Sequence, residues 1–189
     1  AQDPELRPYT KPRRMPSVWV EGVVLHHPNG KRIDLPPQVA RTLSAMDGSK
    51  SARELAGGLI DDKALGFEDE QDVFGLLVEL EQRKLCTWTF EIPTATFQPE
   101  QHLRELILGA EDPARERALQ ALTQLEQRRG AVARAAGHPD VLDQALHELE
   151  STFEELTATS ATRKSGETYA GRMLVFEDCR RDLHVELGR

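Results

Sequence analysis

Hydrophobic and polar positions follow two different periods along this chain, and the change between them divides it. The run VWVEGVVLHHP, the pair Asn29-Gly30 and then KRIDL read as two β-prone arms around a turn. Asn-Gly predicts a hairpin because both residues tolerate positive φ. Pro36-Pro37 ends the second arm and opens a helix with the apolar face Val39, Ala40, Leu43 and Met46, which Asp47-Gly48 terminates. Ser51 followed by Glu54 is a capping-box pattern that starts a helix through Leu55, Leu59 and Ile60, kept short by Gly57-Gly58. After an acidic loop from Asp61 to Asp72, the residues Val73, Leu76, Leu77 and Leu80 recur at i, i+3, i+4 and i+7, the spacing of a third helix. The stretch LCTWTFEIP alternates and predicts a strand stopped by Pro93.

From Phe97 the period is helical. Pro99 opens a helix through Leu103, Leu106, Ile107 and Leu108 that Gly109 closes. Asp112-Pro113 starts one bearing Leu119, Leu122 and Leu125 towards Arg128-Arg129. Gly137-His138-Pro139 precedes a third with the stripe Leu142, Ala145, Leu146, Leu149, Phe153 and Leu156, so the last two predict a helical hairpin. The expected class is α+β, mainly helical, in four parts. Residues 1–16, with four prolines and the cations Arg7, Lys11, Arg13 and Arg14, predict an extended, solvated arm. Residues 17–92 predict a winged-helix-like unit of hairpin, three helices and strand, and residues 97–157 a helical scaffold. Residues 158–189 predict a glycine- and arginine-rich turn-strand motif in which Gly166 and Gly171 bracket a turn before the apolar run Met173–Phe176.

Composition narrows the function. The 189 residues carry a formal net charge of −8, which argues against a general nucleic-acid binder, and only 5% are aromatic, so the core must be aliphatic. Cys86 and Cys179 fit neither a disulfide framework nor a zinc site, and no apolar run approaches a membrane span; both predict a soluble cytoplasmic protein. His26 and His27 are adjacent and face opposite sides of a strand, so they do not hold one metal together. No Walker loop, dinucleotide fingerprint, HExxH or GxSxG is present, and neither a metal nor a resident cofactor is expected.

The segment from Ala161 to Asp182, ATRKSGETYAGRMLVFEDCRRD, resembles a block ATRxxGxxYAGRxLVxEDCRRD of the lantibiotic dehydratases, in their amino-terminal, glutamylating half. The resemblance implies an enzyme that uses glutamyl-tRNA as co-substrate to esterify Ser and Thr of a precursor peptide before eliminating glutamate. It implies catalytic anion contacts at Arg163 and Arg172 and tRNA or glutamate contacts at Lys164 and Tyr169. A planar guanidinium suits that work because it grips anions bidentately and stays charged. The stretches VVLHHPNGKRIDLPPQVARTLSAMDG, SARELAGGL and DVFGLLVELEQRKL resemble the RiPP precursor recognition element that such dehydratases contain. That resemblance implies a leader peptide added as a strand along Lys31, Arg32, Ile33 and Asp34, with Phe74, Val78 and Glu81 of the third helix as the opposite wall. The chain covers only part of such an enzyme, so a fragment or a split relative working with a partner chain is expected, inactive alone.

Two other readings compete. A winged helix can bind DNA, but the third helix has only Arg83 and Lys84 to offer phosphate, both at its far end. A peptide-binding module without catalysis is the other alternative.

Overall fold

Proline and glycine decide where most elements of this chain start and stop. The computed structural model describes residues 4–93, 95–162 and 174. The described part is α+β and mainly helical. The chain divides between Leu122 and Thr123 into two compact units.

In the first unit a short strand β1 (Arg13–Arg14) is followed by β2 (Trp19–Glu21), β3 (Val24–His26) and β4 (Arg32–Asp34). The last three form an antiparallel sheet in the order β2-β3-β4. The expected first arm of the hairpin is therefore two strands, because Gly22 (φ +60°) makes a two-residue turn between Glu21 and Val24. Glycine at the first central position, in the left-handed region, gives such a turn the twist that the strands need. The second turn is longer than Asn29-Gly30 alone. The Gly30 N–H donates to the His27 carbonyl, the His27 N–H donates to the Lys31 carbonyl, and only Gly30 (φ +82°) is left-handed. Pro28 supplies the fixed φ that opens such a three-residue loop.

Three helices follow: α1 (Pro37–Ala45), α2 (Ala52–Asp61) and α3 (Glu70–Gln82). Pro37 is in the first turn of α1, where its missing N–H costs nothing. The capping box on α2 forms as expected, with Ser51 accepting from the Glu54 N–H and Glu54 accepting from the Ser51 N–H. Ser51→Ala should therefore destabilise this unit by about 1 kcal/mol in a denaturant titration. Hydrogen bonds from the Ser51 backbone and hydroxyl hold the Glu54 carboxyl below its ordinary pKa. A depressed carboxyl contributes stability above its unfolded pKa and loses it as pH falls through the folded value, so Ser51→Ala should also flatten the acid limb of the stability profile. The helix α2 runs on through Gly57 and Gly58, carried by the buried face Ala52, Leu55, Ala56 and Leu59. On α3, Asp69 caps the first turn and Val73, Leu77 and Leu80 enter the core, where Leu25 and Leu43 meet them.

Two expectations are corrected in this unit. The arm is not a solvated tail: Leu6, Thr10 and Pro12 are buried, and β1 pairs with β5 (Cys86–Thr87). The Thr10 carbonyl accepts the Ala52 N–H of α2, and the Arg14 and Met15 N–H groups donate to the Met46 and Leu85 carbonyls. Nor is the arm extended throughout: Arg7–Tyr9 form a 3-10 turn that includes Pro8, and only from Thr10 does the backbone run extended into β1. The strand expected from Leu85 to Ile92 shrinks to β5, because its ladder with β1 ends at the Arg13–Thr87 pair, while the next residue, buried, is Trp88. Its indole N–H donates to the Arg7 carbonyl and its backbone N–H to Glu81.

Beyond Pro93 the elements are α4 (Pro99–Leu108), α5 (Ala114–Ala135) and α6 (Pro139–Thr157), with no strand among the described residues from Pro99 to Thr157. The division between units falls inside α5, which runs through Arg128-Arg129 and Gly130 to Ala135, just before the break at Gly137-His138-Pro139. In the second unit Arg128 pairs with Glu148 at 2.6 Å, and Ala145 and Leu149 of α6 are buried.

Candidate functional site

The edge of the three-stranded sheet is where unsatisfied backbone groups collect. β4 pairs with β3 on one side in the register Val24↔Asp34, Leu25↔Ile33 and His26↔Arg32. The Leu35 N–H donates to the Val23 carbonyl and the His27 N–H to the Lys31 carbonyl. Hydrogen-bonded and non-bonded pairs alternate in an antiparallel ladder, so Ile33 shares that bonded class with Leu25. The backbone groups of Arg32 and Asp34 therefore point to the other side, where no strand pairs with them among the described residues. Their side chains are exposed, while Ile33 packs against the core. Lys31 is exposed but sits in the turn, its carbonyl taken by His27 and its N–H bonded to the Asn29 side chain at 3.1 Å. Of the four residues expected to meet a peptide here, Arg32 and Asp34 present backbone, Ile33 anchors the strand and Lys31 flanks it. The sheet face beside them carries Trp19, 49% exposed and stacked on His26 at 5.0 Å.

The expected opposite wall is corrected. Phe74, Val78 and Glu81 lie at i, i+4 and i+7, one stripe of α3. Phe74 is buried with its ring 5.7 Å from Trp88, Val78 is half-buried against the core, and Glu81 accepts from Arg7 and from the Trp88 N–H. These side chains hold the arm and β5 in place. The accessible stripe is Asp72, Gly75, Leu76 and Glu79, at the same spacing on another side of the helix. With Gln38 and Val39 of α1 and with Phe67 it lines an open groove of about 460 Å³.

A second cavity, of about 620 Å³, lies among the arm, the start of α2, the segment after β5 and α4. Its charges are largely matched from within. Arg53 bonds Glu111 at 2.8 Å and the Tyr9 hydroxyl at 3.1 Å, Arg13 bonds Glu91 at 2.8 Å, and Glu54 is held by Ser51. The cavity reads as a seam that ties these segments together.

Arg163, Lys164, Tyr169 and Arg172 lie outside the described residues. Among the described residues, no group of three His, Cys, Asp or Glu side chains is placed to hold a metal, and no helix is long and apolar enough to cross a membrane. Burial pushes the Cys86 thiol up to about 11, with Glu81 adding to the shift, so at neutral pH it is a packed, protonated side chain with little nucleophilic character. Comparison of the chain with protein-family models, curated proteins and solved structures finds no match.

Proposed function

We propose that residues 17–92 form a winged-helix-like recognition element that binds the leader of a ribosomal precursor peptide as an added β-strand, within a lantibiotic-dehydratase-like protein. The observation that carries this reading is the unpaired edge of β4, where Arg32 and Asp34 present backbone donors and acceptors. An extended peptide completes such an edge through main-chain bonds, and pockets for its side chains supply specificity. The order of sheet, then α1, α2 and α3, agrees with the resemblance to precursor recognition elements. The glutamylation role rests on the block from Ala161 to Asp182 alone: Arg163 and Arg172 would grip phosphate or glutamate of glutamyl-tRNA in a complete enzyme, with Lys164 and Tyr169 beside them. Such a protein works in the cytoplasm, where glutamyl-tRNA is found, and needs the remainder of the dehydratase or a partner chain.

The DNA-binding alternative fits α3 poorly. Its solvent-facing positions Gln71, Asp72, Glu79 and Gln82 hold no cation, and Arg83 beyond its end lies 3.7 Å from Glu79. A recognition helix needs basic residues along that face. The test is titration of a labelled lantibiotic precursor leader peptide, with duplex DNA as the competing ligand. Saturable leader binding with weak DNA binding supports the reading; tight, salt-sensitive DNA binding without leader binding overturns it.

A further inference from the structure

We infer that Asn29-Gly30 is a self-modifying site: held in this turn, Asn29 converts to isoaspartate, and the carbon this inserts into the backbone uncouples β4 from β3. Asn29 is the only asparagine in the chain, and a glycine follows it. Asparagine is a thermolabile side chain, and a following residue without a Cβ lets its backbone nitrogen approach the amide closely.

The turn prepares both partners of the reaction. Pro28, Asn29 and Gly30 are exposed. The Lys31 N–H donates to Asn29 Oδ1 at 3.1 Å, an Asx turn that folds the side-chain amide back along the Gly30 backbone. A donor at that oxygen stabilises the negative charge that gathers there when a nucleophile adds to Cγ. Gly30 supplies the nucleophile and stands in open space, since a Cβ there would meet nothing within 4 Å. Its N–H donates to the His27 carbonyl at 3.0 Å, a bond that water can replace at an exposed turn. Water takes the Gly30 amide proton, the nitrogen bonds to Asn29 Cγ, and the Cγ–Nδ2 bond breaks to release ammonia. Water then opens the cyclic imide. Attack at Cγ gives aspartate, and attack at the main-chain carbonyl gives isoaspartate, whose backbone runs through the former side chain. Nothing is oxidised or reduced, and water is the only co-reactant.

Asp47-Gly48 is the contrast within the same chain. Aspartate before glycine closes the same imide, but from the protonated acid. Hydrogen bonds from the Ser49 hydroxyl and backbone N–H hold the Asp47 carboxyl below its ordinary pKa, so it stays ionised and a poor electrophile. A Cβ at Gly48 would lie 3.3 Å from the Arg13 side chain, which covers that backbone. The dipeptide alone therefore does not decide the matter.

The consequence falls on β4. Hairpin register follows turn type and loop length, and this loop is closed by the His27 N–H on the Lys31 carbonyl, one residue before β4. An extra backbone carbon at Asn29 removes the Asx turn and moves Lys31 off His27. The effect on leader binding rests on the reading that the leader pairs with β4; the modification itself does not.

The experiment ages the full chain and Asn29→Gln at mildly alkaline pH, with a urea-unfolded sample beside them, and maps the products by peptide mass and isoaspartyl methylation. The folded chain should accumulate isoaspartate at position 29, and Asn29→Gln, whose longer side chain does not close the same ring, should accumulate none. The aged chain should unfold at a lower urea midpoint than the fresh one and bind a lantibiotic precursor leader peptide roughly threefold more weakly. Freshly purified Asn29→Asp adds the charge without the carbon and should keep the fresh midpoint, which assigns the effect to the backbone. Isoaspartate that forms only in the unfolded sample overturns the inference, and so does an aged, modified chain with an unchanged midpoint. A fresh chain that binds no leader removes the β4 reading, while the mass map and the midpoint still decide this inference.

Discussion

Replacing Trp88 by alanine should cost about 3–5 kcal/mol of stability and release the arm, the largest effect expected of any single truncation in this chain. Trp88 is only 3% exposed, and four contacts converge on it. Its ring packs on Phe74 at 5.7 Å, its indole donates to the Arg7 carbonyl at 3.0 Å, and its backbone N–H donates to Glu81. The Arg7 guanidinium lies 3.9 Å above the ring while pairing with Glu81. Removing the indole therefore opens a cavity and also strips a partly buried cation of its aromatic partner. Urea unfolding should show a lower midpoint, and limited trypsin digestion should cut faster after Arg13 and Arg14 in β1. A loss below about 1 kcal/mol, in the range of an ordinary surface change, would show that the arm does not depend on this contact.

The second large effect separates the two sides of β4. Arg32→Pro and Asp34→Pro each delete a backbone donor that points away from β3, so each should weaken leader binding at least about tenfold while the helical circular dichroism stays unchanged. Ile33→Pro deletes a donor on the β3 side and removes an apolar side chain packed against the core, so it should lower stability as well. The leader titration, repeated on the three variants with thermal unfolding alongside, reads both quantities. Equal binding by Arg32→Pro, Asp34→Pro and the unmodified chain would mean that the peptide uses another surface.

Much of the helical part was legible in the sequence because its stops are chemical. Pro37, the Ser51–Glu54 box, Asp69, Pro99 and Pro139 all stand at helix starts, where capping or a fixed φ explains them. The sheet was less legible. One glycine, Gly22, converts a single β-prone run into two strands, and the signal is too short to separate from a bulge. The arm was misread because its burial comes from long-range partners: nothing local in its sequence announces that Arg7 will meet Glu81 and Trp88. The candidate site divided in the same way. The edge strand was correctly located within the chain, but period alone does not tell which stripe of α3 faces an open groove. Phe74 was expected as a peptide contact on the resemblance to recognition elements; it is part of the core instead. The block carrying Arg163 and Arg172 remains a matter of sequence, outside the described residues.

Leader addition to β4 is the central claim, and backbone amide exchange on the full chain tests it most directly. On saturation with a lantibiotic precursor leader peptide, the Arg32 and Asp34 amides should gain protection, since both become ladder donors. The Leu35 amide, already bonded to Val23, should change little. Saturable binding that leaves Arg32 and Asp34 exchanging as before would contradict the account and place the peptide elsewhere.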